Sequence, residues 1–166
     1  MDTTVKLLDT PNFQALADSI FTLVADQISQ LLPQAQIEHV GASSVPGAIT
    51  KGDLDICIIV APTSHERTVR ALESSGYVVK AGTLRTHELC MLLSSRTDLE
   101  VALQVVAKGS RFEFFMLFRD ALRADPSLVQ QYNQLKRNFA SKGDERYRDE
   151  KAAFIESVLR SLPVSK

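Results

Sequence analysis

The chain has 166 residues, no tryptophan and only two cysteines. Cys57 and Cys90 each sit inside an apolar run, so they read as buried free thiols. Two isolated cysteines make neither a disulfide framework nor a metal signature. Charge of one sign is lacking too: 19 Lys and Arg against 20 Asp and Glu leave a formal net charge of −1. That balance excludes a global field that would draw in nucleic acid or an anionic membrane surface. No apolar run approaches the roughly 20 residues of a membrane span. The N-terminus has no basic segment followed by an apolar one, so a secretory signal is not expected. The expectation is a soluble, cytoplasmic protein with no membrane partner. What is present is ordinary for a globular chain, with 45% hydrophobic and 23% charged residues. The length suits one domain and allows a core without covalent staples.

Asp9-Thr10-Pro11 has the form of a helix start, a capping residue followed by proline in the first turn. Apolar residues then recur at helical spacing, at Leu16, Ile20, Leu23, Val24, Ile28 and Leu31, which predicts a helix over about 13–32 ended by Pro33. A short strand is expected at 37–40. After it comes a loop of small residues, Gly41-Ala42-Ser43-Ser44-Val45-Pro46-Gly47. Residues 54–60 form an apolar, β-branched run between Gly52 and Pro62, the mark of a buried strand. A helix over 63–75 is closed by Gly76, with His65 on its surface at the start. Strands follow at 77–79, 88–93 and 99–106. Beyond Gly109 the pattern becomes helical: 111–123, then a second helix from Asp125-Pro126 to about 140, and a third from Asp144 to about 162 after Gly143. The order predicts an α+β fold with a mixed sheet over about 34–108 and C-terminal helices over about 111–162. The connection at 108–110 is too short for a flexible linker, so residues 1–166 are expected to form one domain.

The chemistry concentrates between Gly41 and Asp55. Asp53 and Asp55 are two apart at the start of a predicted strand, so both carboxylates share one face while Leu54 and Ile56 point into the core. Two adjacent carboxylates repel and need positive charge to stay ionised together. A hard divalent cation such as Mg²⁺ (or Mn²⁺) supplies it and takes carboxylate oxygens. An Asp-x-Asp pair by itself also arises at surface turns. The loop upstream sharpens the reading: Gly41 and Gly47 let backbone N–H groups approach a phosphate, Ser43 and Ser44 carry hydroxyl donors, and Lys51 adds a cation. An anion cradle beside a cation-binding pair is what a metal-bridged nucleoside triphosphate requires.

Glu38-His39-Val40-Gly41-Ala42-Ser43-Ser44-Val45-Pro46-Gly47 resembles the hallmark of the GrpB family, whose usual form is E-H-I/V-G-S-T-S-V-P-G. Three later segments agree. Phe118-Arg119-Asp120-Ala121-Leu122-Arg123 resembles the family's F-R-D-x-L-R, Tyr132-Asn133-Gln134-Leu135-Lys136 its Y-x-x-L-K, and Tyr147 with Lys151 its closing Y-x-x-x-K. The matches span about residues 37–158. That family is similar to the polymerase β-type nucleotidyltransferases, and the resemblance implies their fold and the transfer of a nucleotidyl group from a nucleoside triphosphate. The chain departs from the pattern in three places. Ala42 stands where the superfamily's Gly-Ser motif has serine. Gly52 and Asp53 complete an Asp-x-Asp where many members have proline and aliphatic residues. Ala102-Leu103-Gln104-Val105 stands where the family often reads H-L-H-V, so both histidines are gone, and Glu100, on the same strand face, is the candidate third acid.

Other residues carry weaker signals. Arg85, near His87, is a candidate phosphate contact. Tyr132 with Lys136, and Tyr147 with Lys151, are spaced i,i+4 on one helix face. Each pair suits either stacking on a base with a lysine on phosphate, or docking of helices onto the sheet. Phe112, Phe114, Phe115 and Phe118 read as core, and His39 as a structural histidine. The expected function is a Mg²⁺-dependent nucleotidyltransferase-like protein with Asp53, Asp55 and Glu100 as catalytic acids. Asp53 and Asp55 are the metal ligands. Gly41, Ser43, Ser44, Lys51, Arg85, Lys136 and Lys151 contact the substrate, and a small molecule rather than nucleic acid is the acceptor. The alternative is a catalytically inactive nucleotide- or ligand-binding or interaction module.

Overall fold

The computed structural model describes Leu7 and residues 11–163. The capping residues expected at Asp9 and Thr10 lie outside the described residues. From Pro11 on, the elements follow the expected order: helix α1 (Pro11–Leu31), strands β1 (Gln36–Val40) and β2 (Asp53–Val60), helix α2 (His65–Ser74), strands β3 (Val78–Val79), β4 (Leu89–Leu93) and β5 (Glu100–Ala107), then helices α3 (Phe114–Ala124), α4 (Pro126–Phe139) and α5 (Asp144–Ser161). The sheet is mixed, in the order β1-β2-β5-β4-β3. β2 and β5 are parallel, and the other neighbouring pairs are antiparallel. The α+β class is as expected.

The two faces of the sheet explain the architecture. Leu54, Ile56, Ile58 and Val60 of β2, with Val101, Leu103 and Val105 of β5, pack on one face against α1 and α2. The stripe that α1 buries differs from the expected one. Ala17, Val24 and Ile28 are buried, with Phe13, Ile20 and Phe21 packed beside them, whereas Leu16, Leu23 and Leu31 are exposed. Two apolar stripes overlap on this helix, and spacing alone does not say which one meets the sheet. His65 also corrects its expectation. It is buried at the start of α2 and its Nε2 pairs with the Val105 carbonyl at 2.9 Å, because α2 lies directly on β5.

The opposite face carries Asp53, Asp55, Cys57 and Ile59 of β2. Cys57 and Ile59 join Val40, Leu89, Val106 and Phe112 in a second core. The helices after residue 110 cover this face. α4 begins as its sequence indicates: the Asp125 carboxylate accepts hydrogen bonds from the backbone N–H groups of Ser127 and Leu128 at 3.0 and 3.4 Å, with Pro126 next to it. A third core joins Phe118 and Leu122 of α3, Val129 and Tyr132 of α4 and Val158 of α5 to Val45 of the small-residue loop. The loop is thereby tied to all three C-terminal helices.

Candidate active site

The β1–β2 pairing sets the site. Val40 is in register with Asp55, so Gly41, the next residue, leaves the strand against the Asp55 carboxylate. Gly41 has φ 75°, and a Cβ built there would lie 2.5 Å from Asp55 Oδ2. Glycine is therefore needed twice, for the left-handed backbone and for the close approach. Gly41→Ala is expected to destabilise the protein by about 1–3 kcal/mol and to push the Asp55 side chain aside. Chemical denaturation measures the first effect, and a change in the Asp55 titration seen by NMR the second.

After Gly41 the chain makes one tight helical turn over Ala42–Ser44. Both serine hydroxyls are engaged inside the protein: Ser44 Oγ donates to the Gly41 carbonyl at 2.6 Å, and Ser43 Oγ shares a 3.0 Å hydrogen bond with His39 Nε2. His39 is buried, stacked on Phe21 with ring centroids 5.0 Å apart, and its Nδ1 lies 3.5 Å from Asp18 Oδ1. Burial, and next the positive charges of Arg123 and Arg119, push its pKa down to about 4. It is a neutral structural histidine at physiological pH.

The family-like motifs of the C-terminal half turn out to grip this loop. Arg119 donates to Glu38 Oε2 at 2.8 Å and to the His39 carbonyl at 3.0 Å. Arg123 donates through Nε to the Ser44 carbonyl at 2.9 Å. Asn133 donates to the Gly47 carbonyl at 2.8 Å and accepts from the Ile49 N–H at 2.9 Å. Lys136 donates to the Ile49 carbonyl, with its ammonium 4.0 Å from the centre of the Tyr132 ring. Backbone from residue 39 to 49 is thus held by side chains of α3 and α4.

A cavity of about 290 Å³ opens between the sheet and these helices, lined among others by Gly41, Lys51, Asp53, Asp55, Glu100, Lys136 and Lys151. The structure brings these seven expected site residues together. Ser43, Ser44 and Arg85 do not line it. Arg85 sits beside His65, Glu66, His87 and Cys90 in a separate depression, on the sheet face that packs against α1 and α2. Asp53 is in register with Glu100 across the parallel β2–β5 pair, and Asp55 with Ala102. Asp53 and Asp55 are partly buried and Glu100 is exposed. Lys51 Nζ lies 3.8 Å from Asp53 Oδ2.

Burial, and next the neighbouring charge of Asp53, push the Asp55 carboxyl up to about 7, while Lys151 and Lys51 pull against them. Burial holds Lys151 below the ordinary lysine value, with the charge of Lys51 in the same direction and Asp55 and Asp53 opposed. Lys136 is pushed down to about 7, first by burial and then by Lys151. Several cavity-lining residues escaped sequence reasoning as site residues, among them Thr50, Lys80, Met91, Gln104, Phe114 and Phe115. The two phenylalanines, expected in the core, are only partly buried and line the cavity, whereas Phe112 is buried as expected. The adjacent Phe114 and Phe115 were legible as apolar helix residues, but nothing local says which phenylalanines the packing leaves open.

The model of the GrpB family, described as GrpB protein, matches residues 11–161. The chain belongs to the GrpB family. Among relatives, a UPF0157 protein of Vibrio cholerae is 49% identical over 147 residues, covering 89% of this chain and 78% of that protein. A UPF0157 protein of Deinococcus radiodurans is 30% identical over 136 residues, covering 81% and 71%. The crystal structure of GrpB from Enterococcus faecalis superposes with a TM-score of 0.74 at 21% identity, covering 93% of this chain and 95% of that one. A mutant of the Cid1 poly(U) polymerase bound to MgATP superposes with a TM-score of 0.56 at 11% identity, covering 81% of this chain and 44% of the polymerase. This GrpB protein therefore shares its fold with a nucleotidyltransferase, and the resemblance of its motifs to the family is borne out.

Proposed function

We propose that this GrpB protein, as one domain, binds a nucleoside triphosphate with Mg²⁺ (or Mn²⁺) in the cavity and transfers a nucleotidyl group to a small-molecule acceptor. The observation that carries this is the placement of Asp53 and Asp55 on one sheet face, against Gly41 and beside Lys51 and Lys151, in a cavity closed by the C-terminal helices. The likeness to Cid1 structures holding MgATP, MgGTP or a UTP analogue supports it.

The residues fit such a metal in a particular way. The donors are carboxylate oxygens, and burial, with the charge of Asp53, raises the Asp55 carboxyl until a cation offsets the cost. Among the described residues no three Asp, Glu, His or Cys side chains converge as a metal cage. Mg²⁺ commonly takes one or two carboxylates and completes its shell with waters and substrate phosphates. Asp53 and Asp55 would therefore hold the ion as part of the nucleotide complex. Bound there, it would supply neutralisation of phosphate charge and a lower pKa for an acceptor hydroxyl.

The chain's own groups divide the remaining work. Lys51 and Lys151 place positive charge beside the carboxylates for the phosphates. Lys136, committed to the Ile49 carbonyl, orients the loop rather than the substrate. Gly41 and Ala42 line the cavity through a backbone with little side chain in the way. Ser43 and Ser44 support that backbone from beneath. Glu100, in register with Asp53 across the β2–β5 pair, would accept the acceptor's proton. The small cavity and the balanced charge favour a small acceptor over a nucleic acid.

One observation favours the second reading, an inactive nucleotide- or ligand-binding module: Ala102, not an acid, stands in register with Asp55. Incubation with α-labelled nucleoside triphosphates, Mg²⁺ or Mn²⁺, and a cell extract as acceptor source separates the two. Label transfer that disappears in Asp53→Ala establishes the transferase. Saturable binding without transfer leaves the module. No nucleotide binding overturns both.

A further inference from the structure

We propose that the apolar half of the cavity seats a flat heterocycle of the nucleobase kind, and that Gln104 reads its hydrogen-bonding edge. This rests on the nucleotide reading above but concerns a different part of the cavity. One half is charged, with Asp53, Asp55, Lys51 and Lys151. The other is walled by Met91, Phe114, Phe115 and Phe118. Gln104 belongs to this second half. It is in register with Met91 of β4 on one side and Cys57 of β2 on the other, so it shares the sheet face of Asp53 and Asp55. Cys57, Leu89 and Val106 close the apolar core next to it. Its side chain is half-buried, lines the cavity and makes no hydrogen bond with any described residue.

The amide faces the cavity with its hydrogen-bonding capacity unused by the protein, so a ligand edge can take the place of the water it would otherwise bind. The primary amide presents an N–H donor and a carbonyl acceptor side by side. Nucleobase edges present adjacent acceptors and donors that match such a pair, as when a glutamine or asparagine binds adenine bidentately. The surrounding wall suits a flat ring. The Phe114 and Phe115 rings are 4.3 Å apart at 27°, presenting aromatic surface of the sort on which bases stack irrespective of their identity. Stacking would hold any base, so discrimination falls to Gln104. Lys80, whose backbone N–H pairs with the Met91 carbonyl at 2.9 Å, brings a cation to the border of this half.

The ring has two possible sources, the triphosphate's own base or the base of a nucleoside acceptor. Calorimetric titration with Mg²⁺ and the four non-hydrolysable nucleoside triphosphates, with the four nucleosides, and with Mg²⁺-tripolyphosphate tests this in the wild type, Gln104→Leu and Gln104→Asn. The wild type is expected to separate best from worst base by about tenfold. Gln104→Leu should compress that spread to within about threefold while tripolyphosphate affinity stays unchanged. Gln104→Asn, which withdraws the same amide, should reorder the bases. If the spread collapses for the triphosphates, the ring is the donor's. If it collapses only for nucleosides added with Mg²⁺-tripolyphosphate, the ring is the acceptor's. A spread unchanged by Gln104→Leu, or absent from the wild type, overturns the proposal with phosphate binding intact. Absence of tripolyphosphate binding overturns the nucleotide reading beneath it.

Discussion

Asp55→Asn is expected to make the unliganded protein more stable near pH 8 and to weaken Mg²⁺-nucleotide binding, by about 2 kcal/mol and on the order of 100-fold respectively. The stability effect follows from the direction of the shift. The Asp55 carboxyl titrates near 7 in the fold, raised first by burial and then by Asp53, against an ordinary value of 3.8. Between those two values the native state holds a proton that the unfolded chain has already released. Stability must therefore fall as pH rises through this window and stay low above it. A shift of about three units would amount to roughly 4 kcal/mol at 1.36 kcal/mol per unit. The carboxylate lines an open cavity, and water there reduces the cost to about half. Asparagine stays neutral and escapes it. His39 works in the opposite sense over much of the same range: held down to about 4, it withholds a proton that the unfolded chain takes below 6.5, so stability falls as pH drops. The wild-type curve alone mixes the two. The difference between wild type and Asp55→Asn in urea denaturation, at pH 4 and at pH 8, isolates Asp55. A difference that does not grow with pH would remove the physical basis for a cation-seeking pair.

The residues that were easy to read in the sequence are those whose neighbours are set by local geometry. Asp53 and Asp55 had to share a face once 54–60 was a buried strand, and they do. Gly41 had to lie at the strand's end, though its contact with Asp55 depends on the β1–β2 register, which no spacing reveals. Ser43 and Ser44 looked available because a hydroxyl in a small-residue loop has no visible partner. In the fold, His39 and the Gly41 carbonyl take them. Arg85 looked near the site in sequence terms, but it lies with His65 and Cys90 at the opposite face of the sheet. Lys136 illustrates a deeper limit. The i,i+4 pairing with Tyr132 was legible, but whether the ammonium faces a ligand or a backbone carbonyl is decided by the packing of α4 against residues 47–49. Tertiary partners of polar side chains are long-range facts. Strand alternation and helix caps are short-range ones.

Arg119→Ala is expected to destabilise the fold by about 3 kcal/mol. Arg119 is 8% exposed and joins three groups: Glu38 at 2.8 Å, the His39 carbonyl at 3.0 Å and Asp120 at 3.0 Å. Removing it leaves a buried carbonyl unpaired and a half-buried carboxylate without its cation, and such orphaned groups cost more than the pair contributes. Glu38 reports on the loss. Burial raises its pKa, but hydrogen bonds from Gln36 and Arg119 and the charge of Arg119 outweigh that, so the net shift is downward. A depressed carboxylate stabilises the fold above its ordinary value of 4.5 and loses that contribution as pH falls. In Arg119→Ala this acid-side loss should shrink, because the hydrogen bond and charge of Arg119 no longer lower the Glu38 carboxyl. A second replacement, Glu38→Gln, should recover about 1 kcal/mol on the Arg119→Ala background while costing stability in the wild type. That sign change, read from a double-mutant cycle in urea, is the decisive result. If Glu38→Gln costs the same in both backgrounds, the two residues are uncoupled and the clasp between α3 and β1 does not hold the Gly41 loop in place.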